Sequence, residues 1–106
     1  MTEPKEEEAA PGELNGKQRR KLRALGHHLS PVVQVGAAGV TDAVVKAALQ
    51  ALEDHELIKV KILDGPADRH EASESLAEQT GAHLAQLLGR TALLYKKRKK
   101  NSKISV

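Results

Sequence analysis

No cysteine occurs in this chain, so disulfides, thiolate metal ligands and cysteine nucleophiles are excluded and a reducing compartment is the expected setting. Phenylalanine and tryptophan are also absent, and Tyr95 is the sole tyrosine. Leu, Val, Ile and Ala must therefore build the core. A sheet that reads nucleic acid by stacking several bases on exposed rings is ruled out. No apolar run is long enough to span a bilayer, and residues 1–13 lack the apolar centre of a signal peptide. These absences point to a soluble, cytoplasmic protein, and 106 residues suffice for one domain with tails.

Charge is present in quantity and unevenly spread. Residues 1–13 hold five glutamates against Lys5, a net of −4, whereas residues 14–106 carry sixteen Lys and Arg against nine Asp and Glu, a net of +7. Such a body favours a polyanionic partner. The first segment, rich in Glu, Ala and Pro, reads as a disordered acidic leader over 1–13. Beyond Tyr95 the run Lys96-Lys97-Arg98-Lys99-Lys100 has no apolar periodicity, so 97–106 reads as a basic flexible tail.

Between the tails the patterns alternate. Asn15 followed by Gln18 is a capping box opening a helix over 15–28, with Leu22, Leu25 and Leu29 on one side and Lys17, Arg19, Arg20, Lys21 and Arg23 on the others. Ser30-Pro31 ends it, and Val32 to Val35 form a short strand. Thr41 caps a second helix over 41–54, apolar through Val44, Val45, Ala48, Leu49 and Leu52. Its alanine side, Ala43, Ala47 and Ala51, implies a close-packed neighbour. Residues 57–63 alternate, with Ile58, Val60 and Ile62 inward and Lys59 and Lys61 on a wet face. Asp64-Gly65-Pro66 is a turn, Asp68 and Glu71 open a third helix closed by Gly81, and strands over 82–88 and 91–95 flank the hairpin turn Gly89-Arg90. The order α-β-α-β-α-β-β predicts an α/β fold, a small mixed four-stranded sheet packed with three helices.

The segment with most chemical content is Gly36-Ala37-Ala38-Gly39, a GxxG loop between a strand and a capped helix. Glycines let backbone N–H groups approach a ligand, and the helix dipole points its positive end at the same place. The loop is therefore either a phosphate cradle or a plain structural turn. No GK[ST] follows it and no third glycine completes a dinucleotide fingerprint. Five histidines are present, but His27 and His28 are adjacent, the others fall on separate elements and no HExxH occurs, so no metal or other cofactor is expected. Glu53, Asp54 and Glu56 cluster at a helix end without a nucleophile, which gives no basis for an enzyme.

Several separated blocks resemble a known family in the right order. They are Leu14-Asn15-Gly16-Lys17-Gln18-Arg19, Leu22-Arg23-Ala24-Leu25, Pro31-Val32-Val33 with Gly36 to Gly39, Glu56 to Lys61, and Gly89 to Tyr95. Over 14–96 the chain resembles the CRM domain, the chloroplast RNA splicing and ribosome maturation module, in its stand-alone bacterial YhbY-like form. The resemblance implies a fold similar to the C-terminal domain of translation initiation factor 3 and an RNA-binding function without catalysis. It also implies a role in ribosome biogenesis on large-subunit ribosomal RNA precursors. By the same resemblance Gly36 and Gly39 flank an RNA-contacting loop and Lys17, Arg19 and Arg23 belong to a basic first helix. Family loops often carry a polar residue where this chain has Ala37 and Ala38.

The expected RNA-binding set is thus Lys17, Arg19, Arg20, Arg23, Gly36, Ala37, Ala38, Gly39, Lys97, Arg98, Lys99 and Lys100. The protein is expected to be a monomer when free, without a membrane partner. The alternative from another class is a protein-interaction module that docks on a ribosomal or assembly protein through the alanine side of the second helix.

Overall fold

Asn15 opens the first helix as its spacing to Gln18 predicts. The Asn15 side chain accepts from the Gln18 backbone N–H at 2.8 Å, and the Gln18 side chain accepts from the Asn15 N–H at 2.9 Å. The computed structural model describes residues 14–63 and 68–98 together with Ser102 and Ile104. The acidic leader and the turn at 64–67 lie outside the described residues.

The elements are α1 (Gly16–Gly26), β1 (Pro31–Val35), α2 (Asp42–His55), β2 (Leu57–Ile62), α3 (Arg69–Thr80), β3 (His83–Leu88) and β4 (Thr91–Tyr95). The four strands form one mixed sheet in the order β1-β2-β4-β3. β1 and β2 run parallel, while β4 lies antiparallel to both β2 and β3. The last strand therefore sits inside the sheet. Its sequence shows why: Ala92, Leu93, Leu94 and Tyr95 are all buried, the pattern of a strand covered on both faces.

Helices α2 and α3 cover one face. Ala48, Leu52, Ala72, Leu76 and Ala77 meet Val33, Val35, Ile58, Val60, Ile62, Ala92 and Leu94 in the larger core. Thr41 caps α2 by accepting from Val44 N–H at 3.2 Å, and Asp68 caps α3 by accepting from His70 N–H at 2.7 Å. Each cap satisfies a backbone N–H that the first helical turn leaves without an intrahelical acceptor. Gly81, at φ 74, ends α3 in the left-handed conformation that favours glycine.

The other face departs from the alternating pattern. Lys59 and Lys61 do share it with Leu57, but it is not simply wet, because α1 lies across it. Leu14, Leu22, Leu57, Ala85, Leu93 and Tyr95 form a second, smaller core there. The helix seats through Leu22 and Gly26 rather than through a full leucine stripe. Leu25 and Leu29 remain 45% and 38% exposed. On α2, Leu49 is exposed, as are Ala43 and Ala47, whereas Ala51, the third residue of the alanine side, is half-buried and packs against the larger core.

Glu56 links α2 to β2 with φ 63, a left-handed conformation that costs a non-glycine residue on the order of 1–3 kcal/mol. Its side chain is wholly buried. The carboxylate accepts from Arg98 N–H at 3.0 Å, Ser102 Oγ–H at 2.7 Å and Ile104 N–H at 3.2 Å, and charge-assisted bonds of this kind offset the strain. Arg98, Ser102 and Ile104 are thus held against the domain, a contact that the reading of 97–106 as a basic flexible tail does not contain.

Candidate nucleic-acid interface

The Gly36–Gly39 loop lies at the C-terminal end of β1, where Leu63 N–H still bonds to Val35 C=O at 2.9 Å. Gly39 N–H returns to Gly36 C=O at 3.0 Å, closing a tight turn, and Gly39 takes φ 79. A side chain at Gly39 would meet open space but would strain the backbone. Ala37 and Ala38 are exposed, and among the described residues their N–H groups have no acceptor. Asp42 stands in the first turn of α2, so a carboxylate already answers part of the helix dipole. The loop amides are the more available donors.

On α1 the expected cations divide. Lys17, Arg20 and Arg23 are exposed, as is Lys21. Arg19 is half-buried and its Nη1 donates to Leu84 C=O at 2.8 Å, so it ties the helix to the edge strand β3. Part of its hydrogen-bonding capacity is therefore structural. In the C-terminal segment Lys97 is exposed, whereas Arg98 donates through Nη1 to the carbonyls of Glu53 and Asp54 at 2.9 and 3.2 Å. Those are orphan carbonyls at the end of α2, where a guanidinium also balances the dipole. Lys99 and Lys100 lie outside the described residues.

The strand register fixes how these parts are arranged. Leu57 pairs with Tyr95 at one end of the sheet, and Lys61 pairs with Thr91 at the other. Leu14, at the start of α1, packs with Leu57 and Tyr95, and Lys97 and Arg98 follow Tyr95 at that same end. The glycine loop occupies the opposite end, about five residues of strand or roughly 17 Å away. The basic helix start and the loop therefore lie at opposite ends of the sheet rather than in one patch.

Between them the face carries a groove that pattern reasoning read as an ordinary polar surface. Arg23, Gly26, His27, Lys59, Gln86 and Thr91 line a cavity of about 290 Å³ between α1 and the sheet. The signal that places it is Gly26. A Cβ there would fall 2.6 Å from Leu93 Cδ1, so only glycine lets the end of α1 lie this close to β4. A second, apolar cavity of about 380 Å³ lies where Leu25, Leu29 and Val32 face His55 and Ile104. Among the described residues no group of three or more His, Asp or Glu could hold a metal ion, and no helix is long and apolar enough to cross a membrane.

Residues 14–96 match the family described as the CRS1 / YhbY (CRM) domain. The chain is 43% identical over 94 residues to Probable RNA-binding protein YqeI of Bacillus subtilis, covering 88% of this chain and 98% of YqeI. It is 40% identical over 91 residues to a protein of Pseudomonas aeruginosa also named a probable RNA-binding protein, covering 85% and 88% of the two chains. The solution structure of SAV1595 from Staphylococcus aureus, named for RNA binding, superposes with a TM-score of 0.76 at 37% identity and covers 86% of this chain and 96% of that one. The match spans all seven elements in order, and the chain belongs to the CRS1/YhbY (CRM) domain family.

Proposed function

We propose that this protein is a non-enzymatic RNA-binding protein of the cytoplasm that assists ribosome assembly by contacting large-subunit ribosomal RNA precursors. The observation that carries the reading is the charge on α1. The helix contains no acidic residue, seats on the sheet through Leu22 and Gly26, and leaves Lys17, Arg20, Lys21 and Arg23 exposed. A rigid row of cations on a regular element suits a phosphate backbone. The RNA-binding names of the relatives support the ligand class. The ribosomal destination rests on the family resemblance.

In this reading the Gly36–Gly39 loop takes a second phosphate through its free amides. Ala37 and Ala38 supply no polar side chain, so the loop contributes backbone contacts and α1, with Lys97 at its end of the sheet, contributes most of the charge. Base selectivity is low, because backbone and shape are what these groups can read. The test is binding of labelled fragments of large-subunit precursor RNA to the wild type and to the double variant Ala37→Asp/Ala38→Asp. Both positions are exposed and free of the positive φ of Gly39, so the variant retains the fold. Affinity for RNA falls at least tenfold if the loop holds phosphate, and equal affinity overturns the loop's part.

Exposed Ala43 and Ala47 carry a second reading, docking on a ribosomal or assembly protein. Ala47→Glu separates the two, since it leaves RNA affinity intact and removes a protein contact.

A further inference from the structure

The groove between α1 and the sheet has a lining that the fold itself does not use. Among the described residues, the side chains of Arg23, Lys59, Gln86 and Thr91 have no hydrogen-bond or ion-pair partner. Lys59 is the most telling of them. It sits in a central strand, flanked in register by Pro31 and Leu93, and is half-buried beneath the end of α1. No carboxylate lines the cavity, so the Lys59 ammonium is open to a bound anion.

The lining is also divided by chemistry. Arg23 and Lys59 are cationic and His27 offers a ring N–H, which suits a phosphate. Gln86 and Thr91 offer neutral donors and acceptors, which suit the edge of a base. Leu93 forms part of the apolar floor, and Leu88, 70% exposed, adds an apolar wall on which a flat ring can lie. A volume of about 290 Å³ admits one nucleotide and excludes a duplex.

We infer that the groove formed by Arg23, Gly26, His27, Lys59, Gln86 and Thr91 binds a single unpaired nucleotide of the RNA, its phosphate toward Arg23 and Lys59 and its base toward Gln86 and Thr91. The inference rests on the RNA-binding reading and deepens it. The groove lies between the start of α1 and the glycine loop, so one strand following the sheet face passes all three. With Tyr95 buried and no other Phe, Tyr or Trp in the chain, this groove confines base recognition to one position.

The test is a titration of the isotope-labelled full chain with AMP, GMP, CMP, UMP and inorganic phosphate, followed by backbone amide shifts. RNA affinity is measured in parallel for the wild type, Lys59→Gln and Gln86→Ala. The expected result is saturable shifts at Gly26, His27, Lys59, Gln86 and Thr91 at millimolar nucleotide, weaker binding of phosphate alone, and at least a threefold loss of nucleotide affinity in each variant. Gln86 lies on an edge strand, so its variant remains informative if Lys59→Gln fails to fold. Absence of shifts in the groove, or phosphate alone matching the nucleotides, overturns the inference. RNA bound equally by the wild type and both variants overturns it while leaving the RNA-binding reading intact. Nucleotide binding in the groove without RNA binding retains the nucleotide site and overturns that reading.

Discussion

Gly26 and Leu93 are in contact so close that any Cβ at Gly26 would lie within 2.6 Å of Leu93 Cδ1, 3.1 Å of Cδ2 and 3.4 Å of Cγ. Leu93 is itself buried in the interior strand, so relieving the clash means moving a packed side chain. Gly26→Ala gains helix propensity of up to about 1 kcal/mol and introduces overpacking of about 1–3 kcal/mol. The second effect wins. Urea or thermal unfolding of the variant will show a net loss of stability, and an unchanged midpoint would show that α1 can lift without cost.

Glu56 tests a different part of the fold. Its buried carboxylate is the acceptor for Arg98 N–H, Ser102 Oγ–H and Ile104 N–H. Glu56→Ala will destabilise the domain by roughly 1.5–3 kcal/mol and speed hydrogen exchange at the Arg98 and Ile104 amides. Glu56→Gly also loses the carboxylate but relieves the φ of 63. It will fall between the wild type and the alanine variant. A glycine variant as stable as wild type would mean that strain, not the hydrogen bonds, dominates at this position.

Much of this architecture was legible because its signals are local. Asn15, Thr41, Asp68 and Gly81 cap helices as their spacing implies, and the continuous apolar run 92–95 marks a strand covered on both faces. What escaped was long-range. Nothing near Glu56 in the chain announces Ser102 and Ile104, which lie more than forty residues away. Likewise the alternation of Lys59 and Lys61 is what a half-wet strand shows, and only the position of Gly26 against Leu93 turns the Lys59 side into a groove. Leu25 and Leu29 fit a helical stripe yet remain partly exposed, because α1 touches the sheet along a narrow line centred on Leu22 and Gly26.

Tyr95 gives a pH dependence that can be read without ambiguity, since it is the sole tyrosine. Burial raises its phenol above the ordinary value, and the nearby Glu56 carboxylate opposes the phenolate further. A raised folded value means that the neutral phenol stabilises the fold below about pH 10, and that this contribution is lost as pH rises through the folded value. Ultraviolet titration will show tyrosinate appearing above the free-tyrosine midpoint. Appearance at the free value in a folded sample would contradict the burial.

Asp68 carries the opposite sign. The hydrogen bond from His70 N–H is the main cause that lowers its carboxyl; desolvation opposes it, and the Glu71 N–H adds a smaller lowering effect. A lowered folded value means stability that is present above the ordinary carboxylate range and is lost as pH falls through the folded value. Protection of the His70 and Glu71 amides, taken relative to intrinsic exchange at each pH, will fall with acidification before the core opens, and Asp68→Ala will remove that early step. Protection at both amides that stays constant until global unfolding would contradict the cap.

Salt dependence separates the two roles assigned to the arginines and lysines of α1. If about five phosphates are neutralised, log affinity will fall against log salt with a slope of about −3.5 by the single-strand coefficient. Lys17→Ala, at an exposed position, will reduce that slope by about 0.7 and leave stability unchanged. Arg19→Ala will instead lower stability, because it removes the bond from Nη1 to Leu84 C=O. A slope near zero contradicts an electrostatic RNA contact.

The proposed engagement of large-subunit precursor RNA by this CRM-domain protein is tested most directly by crosslinking it in its own cells and sequencing the RNA recovered, for the wild type and for a variant with Lys17, Arg20 and Arg23 changed to Gln. The expected result is enrichment of large-subunit ribosomal RNA over an uncrosslinked control, with the enrichment lost in the variant while its fold is retained. Recovery of no RNA above the control, or of RNA without large-subunit sequences, would contradict it.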